Sequence, residues 1–175
     1  MPAYQDFIAP NEAYAKERHR PNLPTPPSKK LLIVTCMDSR IDNFESLGLQ
    51  LGEAHIVRNA GGCAKDALRS IVISQRLLGT REIALFHHTG CGLLTFTTPQ
   101  LRDKIKAELP QDDPNAVKAL NEIEFMEFND LEASVRDDVK FLREHPLVLK
   151  ETAITGWIFR VEDGKEPSPQ IVQVL

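Results

Sequence analysis

Apolar and polar positions follow two different repeats in the central part of the chain. Residues 31–34 form a continuous apolar run that ends in polar residues, and residues 54–57 and 82–86 are shorter segments of the same kind. Such runs are typical of buried strands. Between the last two, apolar residues recur every three or four positions over residues 65–78, which predicts a helix with one buried face and Gly79 at its end. The alternation of strand, helix and strand predicts a parallel unit within an α/β fold.

The rest of the chain carries further helix and strand signals. The chain closes with two strand patterns, residues 153–161 and 171–175, and an Asp-Gly turn at residues 162–165 joins them. Polar residues that cap helix N-termini precede three further apolar patterns, and a short additional helix follows Asp112. The capping residues are Asp42, Thr97 or Thr98, and Asn129 or Asp130, and the helices that they open end near residues 49, 109 and 145.

The N-terminal segment differs from the rest in composition. Residues 1–20 carry a modest helical pattern, and four prolines within residues 21–27 then predict an extended linker. We therefore predict one domain over residues 1–175, in which residues 1–30 form an N-terminal helical arm and a proline-rich linker. An arm of this kind either packs on a neighbouring subunit or folds back on its own domain, and the sequence favours neither arrangement.

Composition and charge limit the kinds of partner that the chain can have. The net charge of −4 and the pI near 5.7 argue against a general nucleic-acid binder and against a protein that binds anionic membranes. No apolar stretch approaches the roughly 18 residues of a spanning helix, and acidic residues in the N-terminal segment argue against a signal or transit peptide. Three cysteines without an export signal favour reduced thiols. We therefore expect a cytoplasmic protein whose thiols are free to bind a metal.

Reactive side chains directly follow two of the predicted strands. Cys36, Asp38 and Arg40 come after the first strand. His88 and Cys91 come after the third. In α/β folds the carboxyl ends of parallel strands meet at one edge of the sheet, where ligands bind. Two thiolates and one imidazole, with no fourth protein ligand evident, are the donor set of a catalytic zinc site, which keeps one position for water.

Less specific interpretations of these residues stay open at this point. The cysteines could be buried core thiols beside a polar loop histidine. Asp38 and Arg40 could form a helix cap and a surface ion pair. His87 is a second candidate ligand, but only His88 has the His-x-x-Cys spacing that places two donors on one turn. Cys63 has no evident partner, and we interpret it as a packing residue.

Three motifs in this order resemble the signature of the β-class carbonic anhydrases. This family pairs Cys-x-Asp-x-Arg with a later His-x-x-Cys, and the chain has these at residues 36–40 and 88–91, with Arg-Asn-Ala-Gly-Gly at residues 58–62 between them. We interpret the middle motif as a tight turn that lets the backbone approach the site. The resemblance implies a mostly parallel β-sheet flanked by helices. It also implies a homodimer or a dimer of dimers with the sites at the subunit interface.

The resemblance further assigns a role to each reactive side chain. It implies that Cys36, His88 and Cys91 bind Zn2+, which lowers the pKa of a bound water so that hydroxide forms near neutral pH. Asp38 then accepts the proton of that hydroxide in a hydrogen bond, and Arg40 holds the Asp38 carboxylate in a bidentate pair. In the alternative closed state, seen in parts of this family, an unpaired Asp38 binds the zinc itself and displaces the water, and the sequence does not decide between the two states. The implied activity is the reversible hydration of carbon dioxide to bicarbonate and a proton.

Two other functions fit the same motifs. Some relatives in this family use the same chemistry to hydrolyse carbonyl sulfide or carbon disulfide to hydrogen sulfide and carbon dioxide, and an apolar pocket lining would favour such substrates. Candidates for that lining are Phe44, Leu93, Leu94 and Phe96. The third function is that of a non-catalytic module that binds zinc or senses bicarbonate. It would better fit a chain without the acid and the arginine of the first motif.

Overall fold

The structure, a computed structural model, describes residues 3–110, 113–161 and 170–175. Its centre is a sheet made of β1 (Leu31–Cys36), β2 (Ala54–Asn59), β3 (Glu82–His88), β4 (Ala153–Phe159) and β5 (Ile171–Gln173). The strands lie in the order β2-β1-β3-β4-β5, in which the first four strands are parallel and β5 is antiparallel to β4. The predicted α/β fold with a mostly parallel sheet is confirmed.

Helices connect the strands and start close to the predicted positions. Asp42 and Asp130 cap two of them by accepting hydrogen bonds from backbone N–H groups of the first turn. Gly79 ends the long central helix in the left-handed conformation, with φ of 75°. The described residues form the helices α1 (Ile8–Glu17), α2 (Asn43–Leu47), α3 (Ala64–Leu78), α4 (Thr98–Glu108), α5 (Pro114–Glu122) and α6 (Leu131–Glu144).

Some element boundaries differ from the sequence pattern. Strand β3 continues through His88 because its pairing with β4 extends to the pair His88 and Phe159. Phe128, the first apolar position of the last helical pattern, lies before α6, and its ring stacks on that of His87. The turn predicted at residues 162–165 lies outside the described residues, although the strands β4 and β5 on either side of it do pair.

Helices α3 and α6 cover one face of the sheet. Ile71 of α3 and Val135 and Val139 of α6 are fully buried there among strand residues. Gly156 of β4 lies beneath α6, and a Cβ atom at this position would come within 2.6 Å of Val135. Helix and strand are therefore in close contact, which fixes α6 against the strands that carry the site.

The opposite face of the sheet is less completely covered. Ile33, Leu49 and Phe86 form a small buried cluster on it, and the Trp157 ring stacks on Phe86 with 5.9 Å between the ring centroids. Other apolar residues beside this cluster are only half-buried, namely Leu31, Ala54, Ile56 and Ala84. Parallel sheets are normally covered on both faces, so this face is suited to contact with another surface.

The N-terminal arm is helical, as predicted, but its helix α1 buries none of its described residues. Every residue of α1 is exposed, and Phe7 and Ile8 beside and within it are 64% and 70% exposed. The apolar side chains of Phe7 and Ile8 are therefore left largely uncovered by the described part of the chain. None of the helices in the described part of the chain combines the length and the apolar character that crossing a bilayer requires.

Candidate metal centre

The register of the parallel strands brings three of the predicted site residues together. Cys36 is the last residue of β1 and His88 the last residue of the adjacent strand β3, while Cys91 follows three positions later. The ligand atoms of these three side chains all lie within 4.8 Å of one another, and each side chain is buried. The sequence-predicted donor set thus forms one compact cluster at the carboxyl end of the sheet.

A glycine pair lets the backbone close around this cluster. Gly61 and Gly62 adopt φ values of 78° and 75°, which favour glycine. A Cβ atom at Gly62 would lie 2.7 Å from the carbonyl oxygen of Phe86 and 3.0 Å from the backbone nitrogen of Cys36. The turn therefore lies directly against β1 and β3, as the interpretation of residues 58–62 predicted.

His88 presents an unpaired ring nitrogen to the cluster. Its Nδ1 lies 2.9 Å from the carbonyl oxygen of Thr89, and because a carbonyl only accepts, Nδ1 carries the hydrogen. The lone pair is then on Nε2, which is buried, has no hydrogen-bond partner among the described residues, and lies 3.9 Å from Asp38 Oδ2. A buried acceptor without a partner beside two thiols fits a divalent metal, since a backbone carbonyl commonly orients a ligating histidine in this way.

The two thiols of the cluster differ in acidity. A hydrogen bond from Cys91 lowers the pKa of Cys36 well below its ordinary value, against the effect of burial, and the same hydrogen bond raises the pKa of Cys91. Burial opposes the charged form of His88, but the negative charge of the neighbouring Cys36 thiolate raises its pKa overall. The site thus favours one thiolate even before a metal binds, and the thiolate is the form of cysteine that ligates metals.

Asp38 and Arg40 form the predicted bidentate pair at the edge of the cluster. Arg40 Nε donates to Asp38 Oδ1 at 2.9 Å, and Nη2 donates to Oδ2 at 2.7 Å. These hydrogen bonds hold the pKa of the Asp38 carboxyl well below its usual range. The carboxylate therefore stays ionised and oriented next to the three donor side chains.

Comparisons with known proteins agree with this geometry. A family model described as Carbonic anhydrase matches residues 31–166, which is most of the chain. Beta-carbonic anhydrase 1 of Mycobacterium tuberculosis is 41% identical over 173 residues, covering 94% of this chain and 96% of that protein. The chain belongs to the β-carbonic anhydrase family. The solved structure of a carbonic anhydrase from Glaciozyma antarctica, 45% identical, has a TM-score of 0.89 and covers 99% of this chain and 98% of that one.

Other relatives of this chain are named for a different activity, the hydrolysis of carbon disulfide. The carbon disulfide hydrolase of Acidianus sp. is 36% identical to this chain over 161 residues, covering 82% of this chain and 79% of that protein. The prediction of an enzyme of the carbonic anhydrase family is confirmed, with the carbon disulfide hydrolases as the related alternative.

Arg58 supports the site through contacts that the sequence analysis did not predict. Its guanidinium donates to three backbone carbonyls of the loop after β1, those of Cys36, Asp38 and Ile41. The loop that carries the first motif is therefore held by a side chain of β2. The available signal was the position of Arg58 near the end of a strand predicted to lie in the same sheet.

His87 and Cys63, the other candidates near the site, lie outside the three-donor cluster. Both ring nitrogens of His87 face side chains of α6, Ser134 and Asp138. Cys63 belongs to an apolar cluster beside the site, and burial raises the pKa of its thiol to about 12. Its neutral, buried thiol fits the packing role interpreted from the sequence.

Proposed function

We propose that this chain is a zinc enzyme that catalyses the reversible hydration of carbon dioxide to bicarbonate and a proton. The observation that supports it most directly is the Nε2 of His88, which lies beside the thiols of Cys36 and Cys91 and has no hydrogen-bond partner in the described part of the chain. This donor set leaves one position for water in a tetrahedral zinc site. The adjacent ion pair of Asp38 and Arg40 supplies a fixed acceptor next to that position.

Cys36, His88 and Cys91 would hold the Zn2+, which when bound supplies a Lewis acid that lowers the pKa of water to near 7. Asp38 would accept a hydrogen bond from the water or hydroxide at the fourth zinc position. This hydrogen bond would orient the oxygen lone pair that attacks the substrate. Arg40 occupies both carboxylate oxygens, which supports a role for Asp38 as an acceptor and disfavours its movement onto the metal.

The surroundings of the cluster suit a small apolar substrate. The two cysteine ligands belong to an apolar cluster that includes the buried side chains of Ile41, Leu93 and Phe159. Such a wall excludes water from one side of the site and accepts a molecule without a net dipole. Of the residues expected to line the pocket, Leu94 and Phe96 pack beside this cluster, whereas Phe44 is not part of it.

The same wall supports a second candidate function, the hydrolysis of carbonyl sulfide or carbon disulfide to hydrogen sulfide and carbon dioxide. Relatives named carbon disulfide hydrolase align over four fifths of the chain, and a sulfur atom favours apolar contacts. A non-catalytic zinc or bicarbonate sensor has less support, because the Asp38 and Arg40 pair is complete.

A direct comparison of substrates tests these proposals. Zinc-loaded protein is assayed by stopped flow for carbon dioxide hydration, and in parallel for hydrogen sulfide release from carbonyl sulfide and from carbon disulfide. We expect rapid hydration of carbon dioxide. Rapid sulfide release with negligible hydration would replace the first function by the second, and inactivity on all three substrates in protein that retains zinc would favour the sensor.

We further propose that the working unit is a homodimer or a dimer of dimers. The exposed apolar residues of the arm and the half-buried face of the sheet are both present in one chain, and neither is covered by the described residues. A second copy could cover both surfaces at once, which favours an arm that packs on a neighbouring subunit. Sedimentation equilibrium should give twice or four times the chain mass of 19.7 kDa, and a monomer at micromolar concentration would exclude this assembly.

A further inference from the structure

A second polar cluster lies next to the candidate metal centre, on the face of the sheet that α6 covers. His87, which is 1% exposed, has its Nδ1 2.7 Å from Ser134 Oγ and its Nε2 3.2 Å from Asp138 Oδ2. Its ring stacks on Phe128 with 5.1 Å between the centroids. His87 is therefore held on both nitrogens and on one ring face, unlike the adjacent His88, whose Nε2 has no partner among the described residues.

Asp138 connects this histidine to a second segment of the chain. The same carboxylate oxygen, Oδ2, accepts a hydrogen bond from the backbone N–H of Ala64 at 2.7 Å. Ala64 is the first residue of α3, where N–H groups have no partner within the helix and a negative charge is favoured. One carboxylate oxygen on α6 thus accepts hydrogen bonds from both the end of β3 and the start of α3.

Both joined segments border the cluster of thiols and imidazole. His87 is covalently adjacent to His88, and α3 directly follows the glycine turn that lies against the backbone nitrogen of Cys36. A displacement of either segment would therefore change the distances between His88 and Cys36. The carboxylate of Asp138 is a single point that restrains both sides of the site.

We propose that Asp138 is a positioning residue of the metal centre, acting through His87 and through the start of α3. Without its carboxylate, the N–H groups of His87 and Ala64 would be left without their acceptor in a partly buried place, and the segments that carry them would shift toward other partners. The inference rests on the proposed metal site, but it does not depend on which substrate the enzyme uses.

The test compares metal binding by the full-length protein and three variants. Asp138→Ala removes the acceptor, whereas Asp138→Asn keeps an oxygen that can accept from both N–H groups. Asp137→Ala is the matched control, because Asp137 is an exposed neighbour on α6 whose side chain forms no hydrogen bond with the described residues. Zinc affinity is measured by competition with a chromophoric chelator, and the geometry of the site by the visible absorption of cobalt-substituted protein.

We expect Asp138→Ala to weaken zinc binding about 10-fold and to alter the intensity of the cobalt bands, as loss of supporting hydrogen bonds around metal ligands does. Asp138→Asn should recover most of the affinity and the original spectrum, and Asp137→Ala should match the wild type. Wild-type affinity and spectrum in Asp138→Ala, with only a lower Tm, would show that Asp138 merely caps α3 and would overturn the proposal.

A second variant covers the case in which Asp138→Ala does not fold. Ser134→Ala removes the other partner of the His87 ring, and we expect a smaller shift of zinc affinity and of the cobalt spectrum in the same direction. An unchanged affinity and spectrum in folded Ser134→Ala would then overturn the proposal. A wild-type protein that binds no zinc would instead contradict the proposed function itself, so the two failures are distinguishable.

Discussion

The two ends of the sheet both carry clusters of polar side chains, but they differ in how completely these are paired. At the amino end, His55, Ser74 and Thr80 form a continuous hydrogen-bonded chain, with 2.7 Å and 2.6 Å between successive partners. Nearby, Gln75 donates to Thr152 and accepts from the backbone. At the carboxyl end, three buried side-chain atoms in the last two residues of three adjacent strands have no hydrogen-bond partner among residues 3–110, 113–161 and 170–175, namely Thr35 Oγ1, Asn59 Oδ1 and His88 Nε2.

This difference separates structural polar groups from functional ones. A buried polar group costs stability unless it is hydrogen-bonded, so a fully paired cluster such as that around Gln75 is what folding alone would select. His88 Nε2, which has no partner among the described residues, costs stability in the metal-free chain. A bound metal ion would remove that cost. The comparison therefore indicates that the carboxyl end is built to bind something that the chain itself does not supply.

The largest expected effect comes from removing a donor at the carboxyl end. We expect Cys91→Ser to abolish both bound zinc and carbon dioxide hydration, as Cys36→Ser and His88→Ala should also do, because each leaves only two strong protein donors. Elemental analysis and stopped-flow assays measure the two losses. At the amino end, Ser74→Ala should leave zinc content and activity unchanged. Loss of zinc in that control would contradict the contrast between the two ends.

A second test separates metal binding from chemistry within the carboxyl end. Asp38→Ala should retain zinc, since the three donors are intact, and lose activity by about 100-fold or more, the usual contribution of a positioned proton acceptor. The comparison of kcat and KM with the wild type should place the loss mainly in kcat. Unchanged activity with normal zinc content would show that Asp38 is not the acceptor.

At the amino end we expect an effect on stability alone. Gln75→Ala should lower the free energy of unfolding by roughly 1 to 3 kcal/mol, because Thr152 and the backbone N–H of Leu149 lose their partner. Urea unfolding measures this loss, and zinc content and hydration activity of the folded variant should stay at wild-type values. Reduced metal content in folded protein would mean that the two ends are coupled.

The smallest effect concerns pH. The pKa of Asp38 is lowered in the folded state by its hydrogen bonds and charge interaction with Arg40, so the pair stabilises the fold above the ordinary pKa of 3.8 and ceases to do so as pH falls through the lower folded value. Metal-free Arg40→Met should therefore be less stable than metal-free wild type at pH 7, and the difference should shrink as the pH falls below 4. A difference that is constant with pH would exclude this linkage.

Much of the site could be predicted from local sequence, whereas its support could not. The spacing of His88 and Cys91 distinguished His88 from its neighbour, and the capping residues placed the helix starts to within a few positions. The partners of His87 lie on α6, about 50 positions along the chain, and their contacts depend on how α6 crosses the sheet. No local sequence pattern predicts where α6 crosses the sheet. The same holds for Arg58, whose three acceptors lie on a different segment.

The crowding around Gly62 limits which sequences this fold can accept. Any side chain there would collide with backbone atoms of two strands at once, and neither strand can give way without spreading the donors of the site. A saturation mutagenesis library selected for activity should therefore return glycine at position 62 as uniformly as it returns the thiols and the imidazole. Intolerance to replacement at this position would reflect a lack of space, in a residue that contributes no chemical group of its own.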